Sequence, residues 1–166
     1  MKKILFICGI LFFLIGCSLS NTPTSKVEEL MSKYQRLDND IVEEIDDLLK
    51  DETLTDDQRV RYRKIIENQY KSLAYEIKDE KIDGDDAVVI VQIEVIDYKK
   101  AINELNNGEN NNFDVLEYNE LKLDKLEKFK EKVAYTLEIK LLKDSDGNWK
   151  ISNLSYEDIK KIQGMY

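Results

Sequence analysis

The sequence predicts an α+β domain in which N-terminal helices pack on one face of a four-stranded antiparallel sheet. Three observations lead to this prediction. Apolar residues recur at helical spacing as far as about residue 70, and two later segments alternate at strand spacing. The order is helices, a hairpin, a helical excursion and a second hairpin. With 166 residues and 42% hydrophobic content, the chain has room for one globular domain, which we assign to residues 25–166.

The first part of this domain is predicted to be helical. Ser25 has a carboxylate three residues later, at Glu28, which is the spacing of a capping box. The apolar residues that follow predict one long amphipathic helix, or two helices joined near residues 38–40. Thr55 opens a second box, so a further helix is expected to run to about Tyr70. The apolar positions of the first segment are Val27, Leu30, Met31, Tyr34, Leu37, Ile41, Ile45, Leu48 and Leu49.

A hairpin and a helical excursion are predicted next. Residues 73–77 alternate at strand spacing, the Asp-Gly pair in 83–86 predicts a tight turn, and 87–98 is dense in β-branched residues. Residues 98–105 predict a short helix. After a polar, asparagine-rich loop, residues 121–132 predict a second one.

A second hairpin and a last helix complete the domain. Residues 134–143 alternate between apolar and polar side chains, which predicts a strand. The Asp, Gly and Asn residues of 144–148 are typical of a turn. A returning strand is expected at 149–151. Ser155 is then predicted to cap a short helix that runs through Ile162.

Composition and charge exclude several function classes. The net charge is −9, and it becomes −11 without residues 1–16, so nucleic-acid binding is not expected. Histidine is absent, and Cys8 and Cys17 are the only cysteines. Ser–His and Cys–His catalysis and zinc binding therefore lack their residues. We predict no metal and no cofactor, since no glycine-rich phosphate loop is present either.

The N-terminus has the pattern of a secretory signal. Lys2 and Lys3 precede an apolar run at 4–15, which at twelve residues is too short to span a bilayer. Residues 14–17, with the sequence LIGC, resemble the lipobox of bacterial lipoproteins. The alternative is an uncleaved signal anchor with an incidental cysteine.

The lipobox resemblance implies a membrane address. It implies diacylglycerol on Cys17, cleavage between Gly16 and Cys17, and a signal peptide at residues 1–16. Residues 17–24 would then be the lipidated cysteine and a polar tether. The expected location is the extracytoplasmic face of the cell membrane, held there by covalent lipid.

The domain also resembles a known architecture. The order of elements, together with the turn and strand at 146–151, resembles the small cone-shaped roll of nuclear-transport-factor-two-like and cystatin-like domains. The resemblance covers residues 25–166 and implies a curved four-stranded sheet around a possible pocket. It implies no function, because rolls of this kind host enzymes, binders and assembly domains.

Three polar residues are candidates for such a pocket. Asp97 prolongs the apolar face of the strand at 89–95, and Tyr75 and Tyr135 lie on apolar faces. A pocket enzyme would use an inward carboxylate with a raised pKa. The alternative is that Asp97 caps the next helix and the tyrosines are core residues with hydroxyls at the rim.

Two further features have alternative interpretations. Residues 144–147 superficially resemble a calcium loop, but the first ligand position would be Leu142 and the closing one Asn153, so a hairpin turn is the better interpretation. The terminal Tyr166 either docks and closes the core or forms an exposed apolar end that could meet a partner.

These observations lead to three functional hypotheses. The first is a non-enzymatic, membrane-tethered accessory or binding module that contacts an envelope protein through its sheet face or loops. The second is an enzyme or small-molecule binder that uses Asp97 and Tyr135 in the roll. The third is a regulatory or inhibitory domain for a neighbouring envelope protein.

Overall fold

The fold is taken from a computed structural model that describes residues 21–50, 52–107 and 113–166. The predicted signal peptide, its cleavage site at Gly16 and the lipidated Cys17 lie outside the described residues, as does most of the asparagine-rich loop. In chain order the elements are α1 (Pro23–Arg36), α2 (Asn39–Lys50), α3 (Asp56–Lys71), β1 (Ala74–Asp83), β2 (Asp86–Ile96), α4 (Tyr98–Asn106), α5 (Val115–Lys128), β3 (Lys132–Lys143), β4 (Trp149–Ile151) and α6 (Tyr156–Ile162).

The predicted α+β class is confirmed. The four strands form one antiparallel sheet in the order β1-β2-β3-β4, so each strand neighbours the next in sequence. Alternate residues of β2 form the centre of the core with at most 1% exposure, and they are Val89, Val91, Ile93 and Val95. Helices contribute Val27, Met31, Ile65 and Ile66 to the same core. Burying one face of the sheet under helices explains the alternation in the sequence.

A bulge in β1 changes which of its alternate residues face the core: odd-numbered residues do so before the bulge and even-numbered residues after it. Ile77 pairs with Val91, but Asp79 pairs with Ile90, so one residue is extra on the β1 side. Glu80 therefore pairs with Val89 and lies on the face that carries the core. Its carboxylate accepts hydrogen bonds from the backbone N–H (2.8 Å) and the hydroxyl (2.7 Å) of Thr24, in the first turn of α1. A negative charge is favourable at this end of a helix.

The first helix begins earlier than the capping pattern at Ser25 predicts. Thr22 is the cap, Pro23 is the first helical residue, and Ser25, the third helical residue, completes the box. The chain then breaks at Leu37, which has a φ of 56°. Of the two alternatives for this segment, the structure has two helices, since the left-handed conformation at Leu37 cannot continue α1.

The fifth helix spans residues 115–128, six residues earlier at its start than the predicted 121–132. Asp114 caps it by accepting from the N–H of Glu117 at 2.8 Å. Phe129 ends it in an extended conformation and is buried. The early start adds a turn whose apolar residues, Val115 and Leu116, are exposed, so apolar periodicity could not reveal it.

One buried amide joins α3, β2 and the C-terminal segment. Gln69, which is 1% exposed, donates to the Ile96 carbonyl oxygen at 2.9 Å and accepts from the Ile96 N–H at 3.1 Å. Gly164, at a φ of 70°, lies against the same carbonyl, and its own carbonyl accepts from Lys99 N–H at 2.8 Å. The side chain of Gln69 thus takes the place of a missing strand partner at the end of β2.

Substituting Gly164→Ala should destabilise the fold strongly. A Cβ there would overlap the Ile96 carbonyl oxygen and approach Gln69 Nε2, and the left-handed φ adds strain. We expect the free energy of unfolding in urea to fall by more than about 2 kcal/mol. Gly147→Ala is the matched control, because Gly147 has a φ of 80° but no atom within 4 Å of the new Cβ. Equal losses in both variants would contradict the close packing at Gly164.

Candidate functional site

The three polar residues predicted for a pocket lie toward the same end of the sheet, and two of them bond within the fold. Asp97 caps α4 by accepting from Lys100 N–H at 2.8 Å. The hydroxyl of Tyr135 donates to the carbonyl oxygen of Tyr166 at 3.1 Å. Tyr75 and Tyr135 both pair with the fully buried Ile93, which separates them. Asp97 is therefore the cap of α4, which is the second of the two interpretations that the sequence allows.

The C-terminus docks on the domain. The rings of Tyr135 and Tyr166 meet edge to face at 5.7 Å, and Lys161 Nζ lies 5.0 Å from the centre of the Tyr166 ring. Met165 packs against the core, whereas Tyr166 remains 49% exposed. This segment covers Tyr135 and the end of β2.

The acidic turn between β3 and β4 is organised by its own first aspartate. One Asp144 oxygen accepts from the N–H groups of Asp146 and Asn148, both at 2.9 Å, and the other lies 3.0 Å from Lys150 Nζ. These contacts hold the pKa of Asp144 below its usual value, with the backbone bond from Asn148 as the largest cause. Across the ranges that the structure describes, no group of three His, Cys, Asp or Glu residues is placed to hold a metal ion.

A half-buried carboxylate that the sequence analysis missed lies between two core tyrosines. Glu44 accepts hydrogen bonds from the hydroxyls of Tyr34 and Tyr70, both at 3.1 Å, and the two rings meet edge to face at 5.0 Å. Burial raises the pKa of Glu44, and the two tyrosine bonds oppose that rise. A signal was present, because Glu44 lies three residues after Ile41 and four before Leu48, on the apolar stripe of α2.

A second missed cluster fixes the helical excursion to α3. Arg61 pairs with Glu120, with Asp124 at 2.7 Å and with Glu127 at 2.9 Å. The guanidinium holds the pKa values of Asp124 and Glu127 below their usual range. The three acids recur at i, i+4 and i+7, which places them on one face of α5. Their role is to position α5.

A groove lies between α1 and β4. It has a volume of about 400 Å³ and combines an apolar floor with lysines at its rim. We call it the α1–β4 groove. Its lining residues are Lys26, Glu29, Leu30 and Lys33 of α1, and Trp149, Lys150 and Ile151 of β4.

Within the described residues, the strand that borders this groove has no neighbouring strand on its second side, and we call this side its open edge. β4 is the last strand of the sheet. Ser152 N–H donates to the Lys140 carbonyl at 2.8 Å, and Asp144 N–H donates to that of Asn148 at 2.9 Å, so even-numbered residues of this hairpin face β3. The backbone groups of Trp149 and Ile151 consequently point outward. One of these outward groups, the Trp149 N–H, donates a hydrogen bond to Asn21 Oδ1 at 2.9 Å.

The outer face of the sheet carries a second cleft. It has a volume of about 300 Å³ and lies where small side chains leave space beside charged ones. Ala74 and Ala134 flank Glu94 across three strands, and Glu76 lies next to them. Two carboxylates and a smaller volume make this cleft a weaker candidate than the α1–β4 groove.

Comparison with protein-family models, curated proteins and solved structures finds no match to this chain. Among the described helices, none is long and apolar enough to cross a membrane.

Replacing Glu44 by glutamine should change how stability depends on pH. Because burial raises the pKa of Glu44, its protonated form contributes stability that is complete below the ordinary glutamate value of about 4.3. That contribution is lost as the pH rises through the raised value. We therefore expect the free energy of unfolding of wild type minus that of Glu44→Gln to fall with rising pH.

Urea denaturation from about pH 4 to about pH 7 measures this difference. Glu43→Gln, an exposed neighbour on the same helix, is the charge-matched control. A difference for Glu44→Gln that increases with pH would contradict burial as the dominant effect.

Proposed function

We propose that this protein is a lipid-anchored extracytoplasmic binding module without catalytic activity, tethered through Cys17 and recruiting a partner through the α1–β4 groove. The open edge of β4 beside a helix is the observation that carries the binding role, since the outward backbone groups of Ile151 have no partner among the described residues and lie next to side chains of α1. The LIGC motif after a short apolar run supports the anchor. Cleavage after Gly16 would leave a chain that begins at its anchor.

The start of the folded domain makes the proposed tether short. Asn21 Nδ2 donates to the Gly147 carbonyl at 3.0 Å, and Asn21 Oδ1 holds the Trp149 N–H, so the chain is fixed to the β3–β4 turn from residue 21 onward. Only residues 17–20 remain as a linker, and four residues reach about 14 Å when extended. The β3–β4 turn would then lie close to the membrane, and the α1–β4 groove with it.

The surroundings of the polar candidates favour a binding module over a pocket enzyme. Asp97 and Tyr135 bond to groups of the fold itself, and Glu44 is held by two tyrosines. An acid or base that acts on substrate needs a substrate-accessible position near the bond that reacts. The likeness to a cone-shaped roll stays part of the proposal, supported by helices on one sheet face and by the bulge in β1.

Intact mass of membrane-extracted protein tests the anchor. We expect a species that starts at Cys17 and carries added diacylglycerol. Cys17→Ala should be left uncleaved or lost to the soluble fraction. Cys8→Ala is the matched control, because it removes the other cysteine and should leave lipidation intact. An unmodified, full-length wild-type protein would refute the proposed address.

The short tether also predicts an orientation. Single cysteines at Asp146 and at Lys130 lie at opposite ends of β3, which is about 35 Å long. In mature protein on vesicles, energy transfer from a dye at position 146 to headgroup-labelled lipid should exceed that from position 130. Inserting a long Gly/Ser linker before Asn21 should reduce the difference. Equal transfer from both positions without the insertion would exclude this orientation.

A further inference from the structure

We propose that the α1–β4 groove binds an extended, acidic segment of a partner protein, which adds to the edge of β4 as a further strand. The inference deepens the proposed binding function by naming the chemistry of the partner. It does not depend on the lipid anchor. Three features of the groove lead to it: the backbone of β4, the shape of the walls and the charge at the rim.

The backbone of β4 fixes where a partner strand can pair. The N–H and C=O of Ile151 point away from β3 and toward the open edge, whereas the backbone groups of Lys150 face β3. Asn21 occupies the N–H of Trp149, so it limits pairing at that end. An added strand would therefore form its backbone bonds with Ile151.

The walls of the groove suit the side chains of an extended peptide. Lys26, Leu30 and Lys33 follow one another at i, i+4 and i+7, so they form one stripe along α1 that faces β4. Leu30 and Ile151 are partly buried and supply apolar floor, and Trp149 closes the base at 5% exposure. Alternate side chains of an added strand would point into this space and toward solvent.

The rim selects an acidic partner. The groove is lined by three lysines and one glutamate, in a chain whose net charge is −9. Each lysine has a carboxylate nearby: Lys26 Nζ lies 3.2 Å from Glu29, and Lys33 Nζ lies 2.8 Å from Asp40. Lys150 pairs with Asp144 at 3.0 Å, and its side chain is 71% exposed. Ion pairs near the surface contribute little net free energy, so the lysines can exchange these carboxylates for carboxylates on the peptide.

Binding of a defined peptide to the mature, lipidated protein in detergent micelles tests the inference. The probe is a fluorescein-labelled nine-residue peptide of alternating threonine and glutamate, and the same peptide with lysine for glutamate is the charge control. We expect fluorescence anisotropy to rise with the glutamate peptide only. Amide hydrogen exchange should slow at Ile151 on binding and stay unchanged at Lys150, whose N–H already faces β3.

Two charge reversals on lysines separate the groove from the rest of the surface. Lys26→Glu on the α1 wall of the groove should weaken peptide binding about tenfold, whereas Lys140→Glu on the outer face of β3 should change it less than about twofold. Equal effects of both reversals would overturn the inference, because the attraction would then be unspecific. Ile151→Pro, which removes the outward N–H, should weaken peptide binding measured by anisotropy without any change of charge.

Three other results of these experiments would also decide whether an acidic segment adds to β4. Equal binding of the lysine peptide, or binding without protection of Ile151, would overturn strand addition by an acidic segment. A dimer in solution whose β4 edge is already protected would show a second copy of this chain in the groove, and it would overturn the inference as well. If the intact mass shows that the wild-type protein carries no lipid, the anchor is refuted. Peptide binding by that protein would still support the groove.

Discussion

A single buried amide, that of Gln69, holds the helical layer in register with the sheet. It bonds both backbone groups of Ile96, and the same carbonyl is contacted by Gly164 of the C-terminal segment. Since a buried amide that loses its partners carries the full cost of desolvation, α3 cannot slide along β2 without a large penalty. The position of α3 then decides where Arg61 lies and, through its ion pairs, where α5 docks. This contact between distant segments thus fixes α3 on the sheet, and the ion pairs of Arg61 dock α5 on α3.

The α1–β4 groove exists because α1 is fixed at its start by contacts on both sides. Glu80 binds the first turn of α1 through Thr24, and it reaches that turn only because the bulge places it on the core face of β1. On the other side, Asn21 bonds the residues at the start of β4. These contacts hold α1 beside β4 while the outward groups of Ile151 stay at an open edge. The groove is therefore a consequence of strand geometry, and its lysines make it a basic site on an acidic protein.

The candidate site could be predicted from the sequence only in part. Asp97 was identified together with its alternative as a helix cap, because a carboxylate three residues before a backbone donor is a local pattern. Glu44 could have been found from its place on the apolar stripe of α2, but its partner Tyr70 lies 26 residues away, and the acids that bind Arg61 lie about 60 residues away. The groove was missed, because its two walls are more than 100 residues apart in the chain. Local sequence patterns do not indicate contacts between segments that lie so far apart in the chain.

The sequence by itself determined the class and order of the elements, the core face of β2, and the turns at 83–86 and 144–148. Each of these depends on residues a few positions apart, where periodicity and turn chemistry act directly. Only the tertiary structure decided the bulge between Ile77 and Asp79, the early start of α5, the docking of Tyr166 and the open edge beside Ile151. These depend on which strands pair and which helix covers them, because the free energy that selects them comes from burial and hydrogen bonds between segments far apart in the chain.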